Sequence, residues 1–104
     1  MTDEPRLVGL LLLPDFSQLG LAAVTEPLFV ANWLSGRTRY RWQTLSLDGK
    51  AVRSSSGQKL PVEAGIGHVS RFDLLLVLAS FDAKRLARDQ ALKSWLRARR
   101  ATLR

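Results

Sequence analysis

The sequence predicts an α/β protein with a parallel sheet, on three observations. Residues 7–13 and 72–78 are short, almost unbroken apolar runs, as suits strands covered on both faces. Between and after them lie stretches whose apolar residues recur at helical spacing. The order is strand, helix, strand, small hairpin, strand, helix, and strands alternating with helices favour parallel pairing.

Pro14-Asp15 stops the first strand. From residue 19 to 34, Leu21, Val24, Leu28, Ala31 and Leu34 recur at spacings of three and four, predicting a helix. Pro27 interrupts this stretch. It sits either in the first turn of the helix proper, with Thr25 as N-cap and Glu26 as N1 or N2, or at a kink in a longer helix. Ser35-Gly36 ends the helix with a left-handed glycine cap. Residues 40–47 alternate, with Trp42, Leu45 and Leu47 among polar neighbours, and Asp48-Gly49 closes this second strand. Residues 50–61 suggest a hairpin around Ser54-Ser55-Ser56-Gly57, followed by an irregular connection past Gly65, Gly67 and His68. After the third strand, Ala91, Leu92, Trp95 and Leu96 place one apolar face on a helix from about 89 to 100. Trp33, Trp42 and Trp95 fall on predicted apolar faces, as core or interface residues.

The 104 residues are 46% hydrophobic and 24% charged, a globular composition within the size of one domain. There is no cysteine, so a disulfide, a cysteine zinc site and a thiol nucleophile are excluded within these residues, and one histidine leaves no His cluster for a metal. The seven-residue apolar run is far short of the roughly 20 residues needed to cross a bilayer, so the expectation is a cytoplasmic protein without membrane contact. The net charge of +7 is unevenly placed. Residues 1–83 balance eight basic against eight acidic side chains, while residues 84–104 carry eight basic ones against Asp89 alone. A solvated helix face with cations toward its C-terminus accounts for this. A phosphate-binding face is the alternative, but no aromatic or base-reading groups interleave the charges.

The run from Val8 through Pro14-Asp15-Phe16-Ser17, then Leu19-Gly20-Leu21-Ala22 and Glu26-Pro27-Leu28-Phe29-Val30-Ala31-Asn32, resembles the start of GlxA-type AraC-family transcriptional regulators. The likeness continues through Leu34-Ser35-Gly36, Tyr40-Arg41-Trp42, residues 45–49, Ser54-Ser55-Ser56-Gly57 and residues 72–77. It implies a flavodoxin-like or class I glutamine amidotransferase-like layout, the first part of a DJ-1/PfpI-like sensor domain. On this reading residues 1–104 are an incomplete sensor domain, with the strand that carries the nucleophile in catalytic relatives and a C-terminal helix-turn-helix domain both absent. The implied partners are a small cationic or amino-acid-like effector, a second copy in the parent regulator, and DNA through that C-terminal domain. No cofactor is implied.

Catalytic DJ-1-like proteins combine a cysteine on a strained turn, an acid from the loop after the first strand and backbone donors from a glycine pair after the third. Here cysteine is absent, the acid position falls near Gly20, and Ala79-Ser80 stand where the glycines would be. The expectation is therefore a protein that is not an enzyme. The competing readings are a fragment of a DJ-1/PfpI-type hydrolase or amidotransferase, and an interaction module completed by another chain along the third strand's open edge. For ligand binding the candidates are Asp15 and Phe16 after the first strand, Ser80 and Phe81 after the third, and Glu26. In a parallel sheet those two loops, Asp15-Phe16-Ser17 and Ser80-Phe81-Asp82, are neighbours, and an aromatic and a carboxylate from each would suit a quaternary ammonium or guanidinium group. Loop capping and core-edge packing account for the same residues, and a helix first turn accounts for Glu26. Ser54-Ser55-Ser56-Gly57 lacks the lysine and helix of a P-loop and fits a hairpin turn. His68 has no acid–nucleophile partners around it.

Overall fold

The computed structural model describes residues 4–68, 71–79 and 88–100. It shows an α/β fold whose main sheet has four parallel strands: β1 (Arg6–Leu12), β2 (Tyr40–Ser46), β5 (Ala64–Gly65) and β6 (Leu74–Leu78). Their spatial order is β5-β2-β1-β6. A two-stranded antiparallel hairpin, β3 (Val52–Arg53) and β4 (Lys59–Leu60), stands beside it. Helices α1 (Gln18–Ser35) and α2 (Gln90–Arg100) complete the layers.

Strand β1 is the centre of the molecule. It pairs with β2 on one side, Arg6 opposite Tyr40, and with β6 on the other, Val8 opposite Leu74. Leu10, Leu11 and Leu12 are completely buried, which explains why the run is apolar at every position rather than at alternate ones. Successive side chains serve opposite faces. Leu11 and Leu13 join Leu45, Phe72 and Leu92 beneath α2, whereas Leu12 joins Phe16 and Val52, with Leu21 of α1 packed on them. The helices therefore cover opposite faces of one sheet.

Helix α1 spans the residues expected of it to within one position at each end, and of the two readings of Pro27 the longer helix holds. Its N-cap is Ser17, whose Oγ accepts the Gly20 N–H at 3.0 Å. Thr25 is no cap: its hydroxyl donates back to the Leu21 carbonyl within the helix. The helix runs through Pro27, so Glu26 lies in its middle rather than its first turn. The missing Pro27 N–H leaves the Ala23 carbonyl without its helical donor. Both residues are exposed, so water can serve that carbonyl. Gly36, at φ 71°, ends the helix as expected. Leu34, counted with the inner face, instead points outward and is 73% exposed.

Residues 64–65 form β5 rather than the irregular connection expected. A Cβ on Gly65 would lie 2.8 Å from the Gly49 nitrogen, so this strand depends on two backbones meeting closely. A 3-10 turn, Ile66–His68, follows, with His68 exposed. Its Ile66 carbonyl accepts the Trp95 indole N–H at 2.9 Å, which ties α2 to the sheet's β5 side. Within α2 Leu92 is buried, Lys93 half-buried and Arg97 exposed, so the helix turns an apolar side inward and carries an arginine on its outer side.

Phe72, 1% exposed, lies flat against β1 where Gly9 leaves room. A Cβ at position 9 would sit 2.9 Å from the ring. The ring is enclosed and has nowhere to retreat. Gly9→Ala is expected to destabilise the fold by about 1–3 kcal/mol, read as a lower urea midpoint at unchanged slope.

Candidate functional site

The chain passes from β1 through α1 to β2 on one side and later returns as β6 on the other. The order of strands thus reverses at β1, and in open α/β sheets the crevice beyond the carboxyl ends of strands at such a point is where ligands bind. The two strand ends are locked together: the Leu13 N–H donates to the Leu78 carbonyl at 3.1 Å.

The loop after β1 has an unusual backbone. Asp15 adopts φ 65°, the left-handed region, where aspartate is among the few side chains tolerated. This turn sends the two neighbouring side chains in different directions. Phe16 goes inward, fully buried against Leu12 and Val52. The Asp15 carboxylate stays 30% exposed and accepts from Arg53 Nη2 at 3.1 Å, forming an ion pair.

The hairpin is clamped to this loop by backbone and side chains together. The Asp15 N–H donates to the Arg53 carbonyl and the Ser55 N–H to the Phe16 carbonyl, while Phe16 and Ser54 form an isolated parallel bridge. Gln18, the first residue of α1, gathers the serines. Its Oε1 accepts from Ser54 Oγ at 2.9 Å and Ser56 Oγ at 2.7 Å, and its Nε2 donates to Gln58 Oε1 at 2.8 Å. Ser54 is 1% exposed, so its hydroxyl depends on these partners. The serine-rich segment is a hairpin turn, closed by Gly57 at φ 92°.

Of the residues predicted from sequence, Asp15 stands at the crevice. Phe16 adjoins it in sequence, but its ring is core and presents no face for a cation in this structure. Glu26 is exposed in mid-helix, eight residues or about 12 Å along α1 from Gln18, and does not join Asp15. Ser80 and Phe81 lie outside the described residues, although β6 leads toward them from the strand end beside Leu13. Sequence reasoning missed Arg53 and Gln18. Arg53 belongs to a hairpin that meets the β1 loop only after folding, Gln18 gains its partners only when that hairpin arrives, and neither stands in a motif.

A shallow depression of about 290 Å³ is lined by Asn32, Tyr40, Arg41 and Trp42, at the amino end of β2. There Asn32 is committed to structure: it donates to the Tyr40 carbonyl and accepts the Arg39 and Tyr40 amides. Asp48 titrates below the usual carboxylate range, chiefly because the Lys50 amide donates to it at 2.9 Å, a property of its turn. Among the described residues no group of three metal-ligating side chains occurs.

Gln18→Ala is expected to cost about 1–2 kcal/mol in urea unfolding, because the buried Ser54 hydroxyl loses an acceptor. Ser56→Ala, at an exposed site, is expected to cost less than half as much, which the same titration checks.

Comparison with known proteins places these features. No family model matches the sequence. The chain is 42% identical over 82 residues to the HTH-type transcriptional regulator GbdR of Pseudomonas aeruginosa, which covers 79% of this chain and 22% of that regulator. It is 41% identical over 87 residues to CdhR of the same species, covering 84% of this chain and 25% of CdhR. With GlxA of Rhizobium meliloti it shares 44% identity over 50 residues, 48% of this chain and 15% of GlxA. The chain thus spans a quarter or less of these regulators' length. Among solved structures, an AraC family transcriptional regulator from Pseudomonas putida superposes with a TM-score of 0.78 at 27% identity, covering 94% of this chain and 52% of that one. A ThiJ/PfpI family protein from Pseudomonas syringae shares the fold at a TM-score of 0.77 and 15% identity, covering 96% of this chain and 40% of that one. In sequence and fold, the chain matches the N-terminal DJ-1/PfpI-like domain of GlxA-type AraC-family transcriptional regulators.

Proposed function

We propose that residues 1–104 form part of a non-catalytic, ligand-sensing domain of a transcriptional regulator, with operator recognition assigned to a helix-turn-helix region outside these residues. The observation that carries this reading is the identity to GbdR across 82 residues, because that protein is a regulator and not an enzyme by name. The chemistry agrees. The Asp15–Arg53 pair holds opposite charges together rather than poising an acid and a nucleophile.

The same pair suggests the class of effector. A carboxylate and a guanidinium side by side offer an acceptor for a cationic nitrogen and a fork of donors for a carboxylate. A small zwitterion, such as an amino acid or a betaine, matches both. Arg53 is 64% exposed and free to swing from Asp15 to a ligand carboxylate, while the left-handed turn fixes Asp15. Ser80 and Phe81, which follow β6 in the sequence, are kept as proposed ligand contacts. Glu26 is assigned no role in the ligand site.

Glycine betaine and arginine serve as probes. Isothermal titration should show one of them binding, with Asp15→Asn and Arg53→Ala each weakening it at least tenfold while leaving far-UV circular dichroism unchanged. Binding that survives both substitutions would remove the pair from the site. Residues 1–104 should also show no sequence-specific, salt-tolerant retention of operator DNA in a gel-shift titration, since phosphate contacts alone fade steeply with salt.

A further inference from the structure

Strands β2, β1 and β6 lie side by side, and arginine stands at the start of each. Arg6 opens β1, Arg39 and Arg41 flank the first residue of β2, and Arg71 precedes the Phe72-Asp73 entry to β6. The register brings them to one level. Arg6 is opposite Tyr40, and its N–H donates to the Arg39 carbonyl at 2.9 Å. On the other side of β1 the Asp73 N–H donates to the Leu7 carbonyl at 2.9 Å, which sets Arg71 beside the strand's beginning. With neighbouring strands about 4.8 Å apart, the four arginines form a row roughly 10 Å long at backbone level, across the amino end of the sheet.

All four are exposed, and among the described residues none is paired with a carboxylate. Two acids reach this end of the sheet. Asp73 is engaged, its Oδ2 accepting the Leu7 N–H, and Glu4 is exposed, as is a fifth cation, Arg37, in the turn after α1. Like charges gathered on adjacent strands repel one another, which costs stability that neutral side chains would keep. An anion laid along the row removes that repulsion.

We infer that this amino end of the sheet is a sequence-independent contact for the phosphate backbone of DNA, made by Arg6, Arg39, Arg41 and Arg71. The cations are all arginines, whose forked guanidinium groups match phosphate oxygens, while Lys50 and Lys59 follow the other end of β2. They stand in a row and not around a pocket. The neighbouring depression at Asn32 and Trp42 is shallow, and the Asn32 amide is already spent on Arg39 and Tyr40. A linear polyanion therefore fits better than a small anion. At roughly 3.4 Å of axis per phosphate along one strand of a duplex, about three phosphate steps match the row. Asp15 and Arg53 lie past the opposite end of β1, so an effector there and a phosphate strand here do not compete for space. The choice of DNA among polyanions rests on the regulator reading; the row of charge does not.

Fluorescence anisotropy tests the contact with a labelled duplex of about 20 base pairs and mixed sequence, titrated with the purified protein from about 20 to 200 mM salt. Binding is expected at low salt. Combining Arg39→Gln, Arg41→Gln and Arg71→Gln should flatten the slope of log affinity against log salt by about 3, and Arg6→Gln alone by about 1, with far-UV circular dichroism unchanged. Lys50→Gln, Lys59→Gln and Arg88→Gln together remove the same charge elsewhere and should flatten it by less than about 1. Equal flattening by the two sets would assign binding to net charge and overturn the inference. So would an absence of binding at about 20 mM salt, or tighter binding of an oligoglutamate peptide than of the duplex, which would make the partner an acidic protein. Neither operator nor effector enters this titration, so its failure leaves the regulator reading standing.

Discussion

Everything described here depends on the two-sided pairing of β1. Because β1 hydrogen-bonds to β2 and to β6 and sends alternate side chains to both helical layers, its seven residues fix the sheet order, the separation of the faces and the position of the crevice. Asp73 shows how tightly the entry is held: its carboxylate accepts the Leu7 N–H at 2.8 Å while its own N–H donates to the Leu7 carbonyl at 2.9 Å. Phe72, the residue before it, needs the absent side chain of Gly9. The junction of β1 and β6 is therefore specified at its start by a hydrogen-bonded aspartate and a ring on a glycine. At its end it is specified by the Leu13–Leu78 hydrogen bond.

From that end the chemistry follows. One residue in the left-handed region, Asp15, turns Phe16 into the core and leaves a carboxylate facing the crevice. The hairpin then supplies Arg53 as a counter-charge and three serines, two of which Gln18 holds. The cluster is polar and hydrogen-bonded, and it contains no thiol. A fold shared with ThiJ/PfpI proteins carries here an exposed ion pair at the end of β1, and the ligand role we propose for that pair rests on the site rather than on the fold.

How much was legible beforehand differs by element. Strands β1 and β6 were readable as short continuous apolar runs, and β2 from its alternation and the Asp48-Gly49 turn that closes it; only β1 is buried at nearly every position, since Leu74 and Val77 of β6 are exposed. The span of α1 was readable from its apolar spacing, whereas its cap was not, because Thr25-Glu26-Pro27 carries the local signature of a helix beginning and Ser17 looks like loop. Tertiary contact and an exposed, water-accessible Ala23 carbonyl override the local cost of Pro27. Strand β5 was invisible because two residues, Ala64 and Gly65, leave no periodicity. Its existence rests on the approach of Gly49. At the site, Asp15 was legible from its place after an apolar run. Phe16 was not, since its burial follows from a backbone torsion that the residue type permits but does not announce. Arg53 comes from 38 positions away and Gln18 from three, and both gain their partners only when backbone and side-chain hydrogen bonds bring the hairpin onto the loop.

The most direct test of the account is amide hydrogen exchange, followed residue by residue on the folded protein. If β1 is paired on both sides, the amides of Val8–Leu12 exchange together and most slowly in the molecule, while β6, paired on one side among the described residues, alternates between protected and fast positions. Exchange in β1 as fast as at the free positions of β6 would contradict the account.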